Sequence, residues 1–316
     1  MQGLRYGCRQ VMTVGVIASC VLAGGCGSEN SSTSSSSAAG RADTTAGVAA
    51  SPSPTVVDDG PQPGYDQVSF SDPTRIDNQW LPLRPGAQLI LEGESVEDGE
   101  HVPHRFVSIV TDLTKEIDGV RTVVVWDRDY EDDEQVEAEL AFFAQADDGD
   151  IWLFGEYPEE YEEDEFVDAP TWIHGIQDAQ AGIMIKADYR PGDPSHAQGW
   201  GPEVEWTDRA KVDKVGGRTC VQAGCYDHVL IVGETSKDEP GAVQYKYYAA
   251  GVGNVQVGFG GDDPTQETLE LVEAAQLSPE ALEAARAEAL KLEQSAYEHS
   301  KDVYGHTAPA TVAGQS

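Results

Sequence analysis

The chain has 316 residues, with 56 Asp or Glu against 20 Lys or Arg and a net charge of −36. A field of that sign repels nucleic acid and anionic headgroups, so both are excluded as partners of the folded part, while cations and basic partners are favoured. Solvation of an acidic surface is the plain explanation for any single acidic cluster.

The first predicted element is an export signal at residues 1–25. Arg5 and Arg9 precede an apolar stretch at 11–23, which is closed by small residues. The stretch is interrupted by Thr13, Gly15 and Ser19 and falls short of the ~20 residues a spanning helix needs. The run Val21-Leu22-Ala23-Gly24-Gly25-Cys26 resembles the lipobox of bacterial lipoproteins. That resemblance implies cleavage before Cys26, acylation of its thiol and display on the outer face of the cytoplasmic membrane. Ile17-Ala18-Ser19-Cys20 is a competing site. Parity favours Cys26, because one cysteine is then acylated while Cys220 and Cys225 remain to pair. Those two flank Val221-Gln222-Ala223-Gly224, which suits a hairpin-tip disulfide.

Residues 26–64 read as a disordered tether rich in Ser, Ala, Gly, Thr and Pro, with a root-mean-square reach of ~35 Å. A β-rich domain is predicted over 65–262. Strands are expected at 87–93, 105–113, 120–130, 137–145, 151–155, 203–212, 227–234, 243–249 and 254–259. Turns at Asp98-Gly99, Asp118-Gly119 and Asp148-Gly149 separate the earlier ones. Spacings of this kind indicate antiparallel hairpins. Val123-Val124-Val125, Leu89-Ile90-Leu91 and Val229-Leu230-Ile231-Val232 are apolar on both faces, whereas a sheet with one wet face would alternate. The fold class is therefore mainly β: a strongly curved antiparallel sheet, a partial barrel or a sandwich. A C-terminal helical extension is expected at 263–304. One helix starts at Asp263-Pro264-Thr265-Gln266 and runs to 275. A second starts at Ser278-Pro279-Glu280 and carries a narrow stripe of Leu282, Ala285, Ala289, Leu292 and Ala296. Residues 305–316 read as a disordered tail.

The middle of the chain resembles an uncharacterised family of exported bacterial β-rich proteins, many of them lipoproteins. The resemblance rests on Asp77-Asn78-Gln79-Trp80-Leu81-Pro82-Leu83-Arg84-Pro85-Gly86 and on Asp148-Gly149-Asp150-Ile151-Trp152-Leu153-Phe154-Gly155-Glu156. It also rests on Thr171-Trp172-Ile173-His174-Gly175 and on Tyr247-Tyr248-Ala249-Ala250-Gly251-Val252-Gly253-Asn254-Val255. It covers about 180 residues, most of the mature domain. It implies an exported β-domain and carries no enzymatic assignment.

Three groups of residues could carry chemistry. Asp147, Asp148, Asp150 and Glu156 could supply hard oxygen ligands to Ca²⁺ if their loops meet, although no EF-hand loop is present. Trp126, Phe142, Trp152, Phe154 and Trp172 could line a pocket for an apolar small molecule. The seven histidines show no zinc-site spacing, and no nucleophile or phosphate-loop motif is found. The sequence thus favours a non-catalytic binding or envelope role at the membrane, with an apolar ligand or an envelope protein as partner and Ca²⁺ as the one candidate cofactor. The alternatives are a secreted hydrolase on wall or extracellular polymer, or a Ca²⁺-binding surface protein.

Overall fold

The computed structural model describes residues 60–97 and 99–314. The signal segment, Cys26, Asp98 and the tether up to residue 59 lie outside the described residues.

Two meanders build one sheet. The first comprises β1 (Ala87–Glu97), β2 (Glu100–Ile117), β3 (Val120–Glu131), β4 (Glu134–Gln145) and β5 (Ile151–Glu162). The second comprises β11 (Arg209–Val221), β12 (Gly224–Thr235), β13 (Ala242–Ala249), β14 (Gly253–Gly261) and β15 (Thr268–Gln276). Short strands lie between them: β6 (Glu165–Asp168), β7 (Trp172–Ile173), β8 (Gln180–Ile185), β9 (His196–Ala197) and β10 (Gly199–Trp200). Both residues of the pairs Asp118-Gly119, Asp132-Asp133 and Glu163-Asp164 have positive φ. Two such residues in a row give the mirror-image turn whose twist matches that of paired strands, which explains why these hairpins are tight.

The strand order is β10-β8-β5-β4-β3-β2-β1-β15-β14-β13-β12-β11-β9, and every ladder is antiparallel. The meanders join where β1 pairs with β15. The path is not closed by hydrogen bonds. Yet β9 and β10, at its opposite edges, are separated in sequence by Gln198 alone. The sheet must therefore curl until its edges lie side by side.

The curl explains the strands that are apolar on both faces. Val123 and Val125 share a core with Leu230, Val232 and Tyr248 from the far end of the sheet. They can meet only across the enclosed lumen. Val124 and Trp126 face the other way, into a second core completed by the helix α1 (Pro279–His299) and by Tyr65 and Phe70. Ser278 caps α1 by accepting the Ala281 N–H at 3.2 Å, and Pro279 takes the first helical position. Its buried stripe is Ala285, Ala289, Leu292 and Ala296.

Two sequence-based expectations are corrected. Residues 263–275 hold no helix, because the second half is strand β15. Asp263 does accept the N–H groups of Thr265 and Gln266, at 2.9 and 3.1 Å, but Gln266 then turns left-handed with φ 46°. Leu269 and Leu271 bury alternate positions and cover the edge that β1 would otherwise expose. The C-terminal tail is ordered through residue 314. A buried Lys115 holds Glu293 of α1 at 2.9 Å and the Ala308 carbonyl at 2.7 Å. Glu293 also accepts from Tyr304 Oη and from the Ala310 N–H. This knot lays Thr311–Val312 (β16) against β2.

Candidate functional site

Two places concentrate chemistry: the lumen and one outer cleft. In the lumen, the alternation that buries Val123 and Val125 continues into Asp127 and Asp129, which pair in register with Glu139 and Glu137 of β4. Glu156, Asp208, Glu234 and Glu267 are buried as well, with Lys246 and His104 as the cations among them. His104 lies 2.6 Å from Asp129 and 3.0 Å from Glu267. Lys246 lies 2.6 Å from Glu234, which also accepts from Gln198 at 2.7 Å.

So many carboxylates cannot all ionise in a space of low dielectric. Burial pushes Asp127 up to about 7. Burial, reinforced by Glu156 and Glu137, raises Glu139 well above the carboxylate range. Burial likewise raises Asp208 and Glu156, the latter against the hydrogen bond from Trp172. Burial alone would lower His104, but its bonds to Asp129 and Glu267 win and lift it to about 11. Burial therefore favours the protonated carboxyls of this layer, while Asp129 and Glu267 favour the charged form of His104. Among the described residues, no group of three or more His, Cys, Asp or Glu side chains is arranged to hold a metal ion. At the His104 end, the free space between Ser95, Glu131 and Glu267 is about 10 Å³, room for about one water.

The cleft is a different kind of place. It is an open space of about 520 Å³ between the β2–β3 turn, the segment after β7 and the C-terminal tail. The Lys115 knot positions the tail, which forms one wall. Asp118 sits in the mirror-image turn with its side chain 64% exposed, while His174 opposite is 8% exposed. The His174 Nδ1 accepts the Ala181 N–H at 3.1 Å, so the neutral ring carries its proton on Nε2. Nε2 lies 3.4 Å from Asp118 Oδ2 and has no hydrogen-bond partner among the described residues. Tyr65 and Phe154 meet the ring edge-on at 4.3 and 5.7 Å. Burial lowers the His174 pKa against the opposing pull of Asp118, which keeps the ring neutral. Among the described residues, its polar contacts are the Ala181 N–H and the Asp118 carboxylate. Thr114, Thr307 and Thr311 line the same cleft.

The residues singled out from sequence are dispersed. Asp147 accepts from the Ser71 N–H and hydroxyl, Asp148 from the Asp150 N–H, and Asp150 from the Ala187 N–H. Glu156 lies apart from them in the lumen and accepts from Trp172 Nε1 at 2.9 Å. Trp126, Phe142, Trp152 and Phe154 come together in the core beneath α1. Trp172 belongs to the lumenal core, 4.9 Å from Trp206. A disulfide joins Cys220 and Cys225 across the β11–β12 tip. The acidic run at 159–165 is a hairpin, with Glu159 buried and bonded to Tyr157, Tyr161 and His299. Sequence reasoning missed the lumenal carboxylates, although Asp127-x-Asp129 and Glu137-x-Glu139 at period two, in phase with buried valines, were the signal. Nothing local marks the pairing of His174 with Asp118.

No protein-family model matches the chain, and comparison with curated proteins gives no match. Two solved structures are similar in part. One, from Bacteroides fragilis, is designated an exported protein with a YmcC-like fold. It covers 63% of this chain and 99% of its own at 12% identity, with a TM-score of 0.37. The other, from Parabacteroides distasonis, is designated a lipoprotein and has the same coverage and identity, with a TM-score of 0.35.

Proposed function

We propose that the protein is a membrane-anchored extracytoplasmic binding protein, held by an acylated Cys26 and taking its ligand in the outer cleft without catalysis. The observation that carries this reading is an open cleft of about 520 Å³ whose wall sets the buried, neutral His174 imidazole beside the exposed Asp118 carboxylate. The export signal and lipobox-like run support the location. The five aromatic residues lie in cores, while the open cleft lies on the outside.

The test is ligand-observed NMR on the full chain in detergent, with a library of sugars, short acids, amines and apolar compounds. Ala308 is exposed on the cleft wall and uses only its carbonyl to hold Lys115, so Ala308→Trp fills the cleft and spares the knot. The reading predicts compounds whose signal is lost in Ala308→Trp. A library with no Ala308→Trp-sensitive binder refutes it. Cys26→Ala should release the chain from the membrane fraction.

A further inference from the structure

Resting on that cleft reading, we infer that the cleft takes an extended segment of a basic partner polypeptide, which adds as a strand to the edge of β2 at Glu116. The β2–β3 hairpin closes through the two-residue turn Asp118-Gly119, with Ile117 opposite Val120, Glu116 opposite Arg121 and Lys115 opposite Thr122. A two-residue turn closes on a hydrogen-bonded pair, and such pairs alternate along an antiparallel ladder. Ile117 and Lys115 therefore bond toward β3, where the Lys115 carbonyl also accepts the Thr122 hydroxyl at 2.9 Å. Thr114 and Glu116 turn their N–H and C=O groups to the other edge. At Thr114 that edge is filled by Thr311 of β16. The same register carried two residues further would bring Pro309 opposite Glu116, and proline has no N–H to give. The tail has in any case left the sheet there, drawn off by the Ala308 carbonyl on Lys115 and the Ala310 N–H on Glu293, at 2.7 and 2.9 Å. Among the described residues, β16 begins only at Thr311, so no strand lies beside Glu116. The space left is the cleft, whose walls include Thr114, Glu116, Pro309 and Thr311.

A strand edge with an unpaired donor and acceptor is a template for a further strand. The occupant follows from the neighbouring pairing and from charge. β16 shows the antiparallel direction this edge accepts. A segment in line with it would set one residue against Glu116 and place that residue's two neighbours on the opposite face, the face of Ile117. Ile176 and Pro309 are the other large apolar groups of the wall, which suits apolar neighbours. The charged groups of the wall are Glu116, Asp118 and Arg121, with His306 on the tail side and His174 held neutral. Arg121 faces Glu116 in register, which leaves Asp118 as the exposed carboxylate outside that pair. A lysine or arginine set against Glu116 lies within cross-strand reach of its carboxylate. The net charge of −36 adds a long-range pull on any basic segment.

The probes are the blocked peptide Thr-Val-Lys-Val-Thr, its counterpart with Glu in place of Lys, and two forms of the Lys peptide N-methylated at Lys or at the following Val. They join the compounds screened against the cleft, on the full chain in detergent at about pH 8, above the ordinary imidazole range. Two readouts are followed: affinity by calorimetry, and hydrogen exchange of the Glu116 amide by ¹⁵N-resolved NMR. The inference predicts that the Lys peptide binds, slows exchange at Glu116 and is lost in Ala308→Trp. N-methylation at Lys, whose N–H would face β2, should abolish binding, while N-methylation at Val, whose N–H would face away, should spare it. Glu116→Pro removes the outward N–H without touching the β3 ladder. Relative to Glu116→Gln, which removes the charge alone, it should weaken binding about 2- to 10-fold, the worth of one hydrogen bond. Should Glu116→Pro fail to fold, the two N-methylated peptides decide on the wild-type chain. If the Glu peptide binds as tightly as the Lys peptide, or the two N-methylated forms bind alike, the inference falls. Slow exchange at Glu116 without peptide overturns it too: dependence on chain concentration would name a second copy as the occupant, and independence the chain's own segment 27–59. If only non-peptide compounds bind in an Ala308→Trp-sensitive way, this inference falls and the cleft reading stands. If neither peptides nor those compounds are sensitive to Ala308→Trp, both fall together.

Discussion

Replacing Asp127 by Asn should make the protein more stable at neutral and alkaline pH, and the gain should vanish in acid. Asp127 is buried on β3, opposite Glu139 in register and next to Asp129 on the same face, with Lys246 and Ser108 also facing it. Burial lifts its carboxyl from 3.8 in the unfolded chain to about 7 in the folded protein. A folded-state pKa above the unfolded value gives stability that is complete below the lower value and lost as pH rises through the higher one. At about 1.4 kcal/mol per pH unit, the loss in wild type between about pH 4 and about pH 7 amounts to about 4 kcal/mol. Asn has the shape of the protonated acid and does not titrate. The assay is urea unfolding followed by tryptophan fluorescence over that range and up to about pH 8, with linear extrapolation. Relative to wild type, Asp127→Asn should approach 4 kcal/mol of added stability at about pH 8 and show no gain at about pH 4. Its unfolding should release one proton fewer in between. An unchanged slope, or a variant equally destabilised at every pH, would refute the claim that Asp127 holds a proton in the folded lumen.

Three further outcomes are expected. Lys115→Met strands the Glu293 carboxylate beneath α1 and should cost about 3–5 kcal/mol in urea unfolding, with Glu293→Gln in the same chain recovering part of it. The His104 ring should remain an imidazolium at about pH 9 in ¹⁵N-edited spectra, since Asp129 and Glu267 hold its pKa near 11. Its share of stability is complete below the ordinary imidazole value and fades only as pH passes the raised one. Replacing both Cys220 and Cys225 by Ser should cost about 2 kcal/mol, the amount for a very short loop, and leave ligand binding in the cleft unaltered.

The strands were legible where apolar runs met turn chemistry. Residues 87–93, 120–130 and 243–249 fall inside β1, β3 and β13, because Gly or Asp-Gly punctuation fixes strand ends locally. The curl was legible for a physical reason: Val123-Val124-Val125 demands cover on both faces, and one sheet can supply two covers only by closing on itself and adding a helix outside. The segment at 263–275 failed because a capping signal fixes one turn, while the next nine residues were decided by their partner strands. The carboxylate layer was hidden by the same alternation that marks a wet face. Asp127-x-Asp129 reads as solvated until β13 is known to lie across the lumen. The cleft could not be read at all. It joins Asp118, His174 and the tail at 306–311, three stretches that no local pattern links, and the tail is held in place by Lys115, Glu293, Tyr297 and β2.

The charged lumen and the open edge of the sheet are parts of one arrangement. Where β10 and β9 leave the ladder unclosed, side chains bridge the gap. Gln198 reaches Glu234, Glu234 takes the Lys246 ammonium, and the rings of Trp172 and Trp206 lie 4.9 Å apart. Gly182 admits the crossing backbone, since a Cβ there would sit 2.4 Å from the Gln198 carbonyl carbon. Such a seam places a polar group on the inner wall to receive the Gln198 amide, with the Lys246 amine 2.6 Å from that group. A continuous ladder would satisfy the edges with backbone alone and leave the lumen free to be apolar. The Gln198–Glu234–Lys246 link therefore follows from how the sheet ends.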